Sequence, residues 1–198
     1  MIQSKKDYEY FLEADRIALS KTRKRPQLYG DEIWKFERLL RKAEYYENSR
    51  KSLFSRIYLY YVLFRLHNLG LKLGFMIPRN VFGPGLSIAH YGPIIVNGEA
   101  RVGANCRIHH CVTIGTEAGA NLTPKIGNNV FIGPGAVVVG GVEIADGIAI
   151  GANSYVDKSF KEPDITIAGL PARKVADKGS KELYHRATEI LDKRLGTK

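Results

Sequence analysis

Branched aliphatic residues return at every sixth position through the middle of the chain: Val96, Val102, Ile108 and Ile114, then Ile126, Ile132, Val138, Ile144, Ile150 and Val156. The interval from 114 to 126 is two periods, so the phase survives it. Upstream, Phe82 and Ile88 continue the series, with one step of eight residues from 88 to 96. Four positions after the aliphatic stands a small or apolar residue (Ala100, Cys106, Val112, Val130, Ala136, Val142, Ile148, Ser154). Glycine often follows the aliphatic directly, as at Gly103, Gly115, Gly127, Gly133 and Gly151. A period of six fits neither a 3.6-residue helix nor a simple alternating strand. It fits a parallel β-helix whose coil has three short flat sides joined by tight turns, with one aliphatic pointing inward from each side.

The pattern on either side is different. Asp31–Tyr46 carries Ile33, Phe36, Leu39, Leu40 and Ala43 at helical spacing. A second helix is predicted from Ser52 to about Leu69, ending near Gly70. The stretch KTRKRPQLYG reads as a loop by its charge run, Pro26 and Gly30. Beyond Pro163 the chain reads DITIAGLPARKV, then a charged, helix-like tail from Lys181 to about Leu195 that is expected to cap the open end of the solenoid. Three regions follow: a helical one over 1–75, the β-helix over 76–176 and the tail over 177–198.

Charge sharpens this division. The chain's net charge is +10, and residues 1–76 alone hold 16 Lys and Arg against 9 Asp and Glu. No recognition motif for nucleic acid accompanies the excess, so none is expected as a partner. The segment 50–75 mixes aromatic and basic residues, a composition that could lie on an anionic membrane, although packing against the solenoid or a partner subunit is the favoured expectation. The two cysteines, Cys106 and Cys111, make no disulfide framework. The charged first residues contain no apolar run of a secretory signal. We therefore expect a cytoplasmic protein with reduced thiols.

The segments FGPGLSIAHYGPIIV, CVTIG, TPKIGNNVFIGPGAVVVG, IGANSYV and AGLPARKV, in this order and spacing, resemble the hexapeptide-repeat acyltransferases, in particular the serine acetyltransferase family. The resemblance covers about residues 76–176. It implies a left-handed β-helix, a homotrimer that could pair into a dimer of trimers, and acetyl-CoA as donor in a groove between neighbouring prisms. It also implies direct acetyl transfer to a hydroxyl. The histidine of SIAHYG matches the catalytic one, so His90 inherits that role. Cofactor contacts fall by position on Thr116, Pro134 and Ala152, with Lys158, Arg173 and Lys174 as candidates for the phosphates. The chain also departs from the family. The acidic residue that orients the catalytic histidine is Phe75 here, and the Arg-His pair before the PKI motif is Leu122-Thr123. The loop from Gly115 to Pro124 is about two residues shorter than the family's. These losses lead us to expect a sugar hydroxyl of a surface polysaccharide or its precursor as acceptor, with serine as the alternative and a non-catalytic trimeric scaffold as the alternative of another class.

The chemistry itself asks for a base that takes a hydroxyl proton near neutral pH, which suits an imidazole. His90 lies two residues after Ile88 and His110 two after Ile108. If 88–108 make one coil, the two histidines share a face, which places His110 in the acceptor site together with Tyr91. His109 reads as a corner residue. Cys106 falls on an inward position, and Cys111 is not expected to act as a nucleophile. His109 and His110 are adjacent and cannot easily both reach one ion, so no metal is expected.

Overall fold

The computed structural model describes residues 1–117 and 121–196. Three helices come first: α1 (Lys5–Ala18), α2 (Glu32–Ser49) and α3 (Leu53–Leu73). Helix α1 starts in a capping box, with the Asp7 amide donating to Ser4 Oγ at 3.1 Å and the Ser4 amide to Asp7 Oδ2 at 2.9 Å. Helix α3 runs one turn beyond its predicted end. Gly70 is buried inside it, where a Cβ would lie 2.8 Å from the Phe75 carbonyl oxygen, and the left-handed residue that stops the helix is Gly74. Gly70 was therefore mistaken for a stop because its glycine serves a close approach.

The strands follow in chain order: β1 (Phe75–Met76), β2 (Ser87–Ile88), β3 (Ile94–Val96), β4 (Arg101–Val102), β5 (Arg107–Ile108), β6 (Thr113–Gly115) and β7 (Lys125–Ile126). They continue as β8 (Phe131–Ile132), β9 (Val137–Val139), β10 (Glu143–Ile144), β11 (Ala149–Ile150), β12 (Tyr155–Val156), β13 (Thr166–Ala168) and β14 (Arg173–Ala176). They form three flat faces. One is β1-β3-β6-β9-β12, the second β4-β7-β10, and the third β2-β5-β8-β11-β13-β14. Every pairing is parallel except β13 with β14. Register sets aliphatic on aliphatic up the prism: Ile88 pairs Ile108, Ile108 pairs Ile132, and Ile132 pairs Ile150.

The periodic residues are the core. Ile88, Val96, Ile108, Ile114, Ile132, Val138, Ile150 and Val156 are all buried, as are Ala100, Cys106, Val112 and Ala136 at the intermediate positions. Each such aliphatic contributes about 1.5–3 kcal/mol on burial. At the corners the coils approach so closely that a side chain has no room. A Cβ on Gly103 would lie 2.7 Å from the Gly127 carbonyl, which explains the glycine after the aliphatic.

The first coil has a free edge, and the helices close it with charge. The amides of Ser87 and Ala89 bond to the next coil, while those of Leu86 and Ile88 point the other way. Asp15 Oδ1 accepts from Gly85 N at 2.8 Å and Leu86 N at 2.9 Å, Glu37 Oε1 from Ile88 N at 3.0 Å, and Glu44 Oε1 from Asn80 N at 2.8 Å. Arg41 donates to the carbonyls of Phe82 (2.8 Å) and Gly83 (2.6 Å), and is itself held by Asp15 (2.7 Å) and Glu44 (3.0 Å). All four side chains are buried. Burial, and then the neighbouring Asp15 charge, push the Glu37 carboxyl well above the usual range.

The other end is closed differently from the sequence-based expectation. The antiparallel strand β14 pairs with the last parallel strand. The tail does not cap the end but runs back along the third face, where Tyr184 Oη donates to Asn105 O at 2.5 Å. It ends in helix α4 (Ala187–Leu195), whose Asp192 accepts from Tyr10 of α1 at 2.8 Å. Helix α3 buries only Val62, Leu66, Gly70 and Leu73, leaving Phe54, Ile57, Tyr60, Tyr61 and Phe64 exposed. It thus packs on this chain by a narrow stripe. Among the described residues no helix is long and apolar enough to cross a membrane.

Two outcomes follow for the buried cluster. Replacing Arg41 by Met strands Asp15 and Glu44 without their cation and is expected to cost about 3–5 kcal/mol in urea unfolding. Glu37 works in the opposite sense with pH. Its folded-state pKa lies above the unfolded one, so its contribution is full below the unfolded pKa and is lost as pH rises through the folded value. Glu37→Gln is therefore expected to gain stability relative to the native chain as pH rises above the ordinary glutamate range, read as a diverging pair of stability-pH curves.

Candidate active site

His90 stands exposed on the turn between β2 and β3, at the corner joining the third face to the first. The turn is held by two features. Gly92 has φ +125°, and its amide donates to Leu73 O at 3.2 Å. One coil on, His109, His110 and Cys111 form the same corner, with the Cys111 amide donating to Pro93 O at 2.6 Å. The column continues as Gly135 N donates to His110 O (3.1 Å) and Asn153 N to Pro134 O (2.9 Å). His90, Tyr91, His110, Pro134 and Ala152 thus lie along one corner of the prism, on successive coils.

Three imidazoles converge there. The His90 ring centroid is 5.7 Å from that of His109 and 5.9 Å from that of His110. The expectation that His90 and His110 share a face holds, because Ile88 and Ile108 are paired one coil apart. His109 lies on the corner, as its position predicts, and also faces His90. It comes as near to His90 as His110 does, its ring centroid lies 4.9 Å from that of Phe131 with the planes tilted by 57°, and its Nδ1 lies 3.1 Å from Ile132 O. Donation to that carbonyl fixes the proton on Nδ1 and leaves Nε2 an acceptor. Burial first, and then the charge of Arg107, hold the His109 ring below the ordinary histidine value. The His110 Nδ1 is buried and has no hydrogen-bond partner among the described residues.

The remaining residues singled out by sequence lie elsewhere. Thr116 and Lys158 are exposed at the next corner, after β6 and β12, and the Lys158 ammonium sits 5.6 Å from the Phe160 ring centroid. Arg173 is exposed on β14. Lys174, beside it, is held by Glu162 at 2.6 Å and Asp177 at 2.5 Å, so its charge is already matched within the chain. Cys106 is buried, and burial pushes its thiol up to about 12. Phe75 is buried edge-on against Phe36, with no acid in its place. Leu122 is exposed, and Thr123 Oγ1 donates to Glu99 O at 3.1 Å; part of the shortened loop, residues 118–120, lies outside the described residues.

Comparison with known proteins agrees with this architecture. Residues 123–158 match the bacterial transferase hexapeptide family (six repeats). The solenoid thus has a left-handed β-helix fold and is similar over these residues to hexapeptide-repeat transferases. Its relatives are serine acetyltransferases. That of Buchnera aphidicola (subsp. Schizaphis graminum) is 32% identical over 114 residues, 55% of this chain and 43% of that one. That of Mycobacterium tuberculosis is 34% identical over 98 residues, 48% of this chain and 42% of that one. The chain thus spans about two fifths of the length of these relatives. Among solved structures, the serine acetyltransferase of Brucella abortus strain S19 superposes with a TM-score of 0.66 at 26% identity, covering 89% of this chain and 72% of that one. A soybean serine acetyltransferase complexed with serine gives 0.68 at 26% identity, over 86% and 70%.

The His90 turn depends on Gly92. A Cβ there would lie 3.1 Å from the His110 Cβ, on a backbone that L residues rarely adopt. Gly92→Ala is expected to cost about 1–3 kcal/mol by thermal unfolding and to shift the His90 and His110 ring resonances together in NMR spectra.

Proposed function

We propose that this chain is an acetyl-CoA-dependent O-acetyltransferase with His90 as its general base. The observation that carries the reading is the exposed His90 imidazole at the head of a corner column that stacks small residues on successive coils. In the proposed step His90 takes the acceptor's hydroxyl proton and the oxygen attacks the thioester carbonyl. Backbone N–H groups stabilise the oxyanion, and the CoA thiolate leaves and is protonated. His110 and Tyr91 face the acceptor, and the narrow pantetheine arm runs past Pro134 and Ala152. A second prism would complete the groove, as a trimer requires, and the exposed aromatic face of α3 supplies surface for such contacts.

For the acceptor, the relatives favour serine over the polysaccharide sugar expected from the sequence. They are serine acetyltransferases, and the soybean structure is complexed with serine. The sugar reading rests on the substitutions at Phe75, Leu122 and Thr123 and on the shorter loop from Gly115 to Pro124. L-serine is the first acceptor to supply.

With acetyl-CoA and L-serine, the full chain should release free CoA thiol. His90→Ala is expected to lower kcat by about 10²–10⁴-fold while calorimetry still shows CoA binding. A variant that turns over as fast as the native chain would remove His90 from the mechanism.

A further inference from the structure

A cavity of about 290 Å³ opens beside the His90 turn. Ala89 and Tyr91, the residues on either side of His90, form part of its wall, and Ser20, Lys21, Asp31, Trp34 and Arg107 add polar groups to the lining. Arg107 projects outward from β5, half-buried, and its Nη1 donates to Ser87 Oγ at 2.8 Å. No carboxylate pairs with it among the described residues, and burial holds its pKa below the ordinary arginine value. Trp34 is buried, and its indole N–H has no acceptor among the described residues. Lys21 donates to Asp31 at 2.6 Å, and Asp31 also accepts from Arg23 (3.2 Å) and the Gln27 amide (3.1 Å). Asp31, the one acid lining this cavity among the described residues, is therefore committed to its own neighbours.

What remains is a guanidinium whose one printed hydrogen bond goes to a hydroxyl and not to a carboxylate, beside an indole N–H without an acceptor among the described residues. A half-buried, unpaired guanidinium is costly, and a planar carboxylate matches its fork with two parallel bonds. We infer that this cavity receives a carboxylate carried by the acceptor, with Arg107 and Trp34 as its specificity-determining contacts. The proposal rests on the acetyl-transfer reading above. Anchored there, an acceptor presents its hydroxyl across Ala89 and Tyr91 to His90. The Arg-His pair implied by the family resemblance is Leu122-Thr123 in this chain, so Arg107 supplies from another coil the cation missing there. Two sources share this chemistry, a free hydroxy or amino acid and the acid group of a sugar.

Trp34 is the only tryptophan in the chain, so its emission reports the cavity directly. The full chain is titrated with L-serine, D-glycerate and D-glucuronate, and with glycerol and D-glucose as neutral counterparts. We expect a saturable change in Trp34 emission with carboxylates and none with neutral compounds. Arg107→Gln should weaken carboxylate binding about tenfold or more, with the melting temperature retained, and Arg107→Lys should restore part of it. The tightest of the three acids identifies the source. Equal responses to neutral and acidic compounds, or unweakened binding in a folded Arg107→Gln, would overturn the proposal. Carboxylate binding without acetyl transfer to any acceptor would instead overturn the transferase reading and leave the cavity assignment standing. Transfer with unchanged KM in Arg107→Gln would do the reverse.

Discussion

The amides of Asn80, Gly85, Leu86 and Ile88 point away from the next coil, toward a space that no strand fills. Left alone, each buried donor would cost about 1–3 kcal/mol. Carboxylates from α1 and α2 meet them, and Arg41 balances two of those carboxylates while reaching the Phe82 and Gly83 carbonyls. A parallel solenoid can grow by adding coils, but its first coil must be finished by something other than a coil. Here that requirement fixes where the helices sit. Because Asp15 and Glu37 must reach the backbone of residues 85–88, the α1–α2 segment and the first turn of α2 are carried to the His90 corner, bringing Lys21 and Trp34 to one cavity with Ala89. The interaction that closes the fold also builds the wall of the cavity next to the candidate base.

The corner column follows from a second constraint. Parallel register stacks equivalent turns at the inter-strand spacing, so any chemistry placed on one turn recurs one coil later at the same corner. His90, His110, Pro134 and Ala152 are neighbours for that reason, although up to sixty-two positions separate them in sequence. The inward aliphatics hold the stack rigid, and the outward residues are free to vary.

The repeat was legible because it is periodic. Ile88 to Val156 are buried as their spacing predicts, and the sharing of one corner by His90 and His110 follows from coil length alone. Other features carried no such signal. His109 reads from its position as a corner residue only, and it is the sharp turn at that corner that brings both its ring and that of His110 toward His90. Gly70 looked like a helix stop, but its role is to let α3 pass the Phe75 carbonyl. The tail looked like a lid, and it runs along the side of the prism because Tyr184 and Thr188 find their partners at Asn105.

By itself the sequence determined the solenoid, its inward residues and the corner that bears His90, since these depend on a repeat whose geometry is local and additive. Only the tertiary structure decided which charges finish the first coil and which donors gather at the cavity. Asp15, Trp34, Arg41 and Arg107 sit at no fixed spacing from the residues they serve. Their pairing is set by how the helices dock, a long-range packing outcome that no period along the chain encodes.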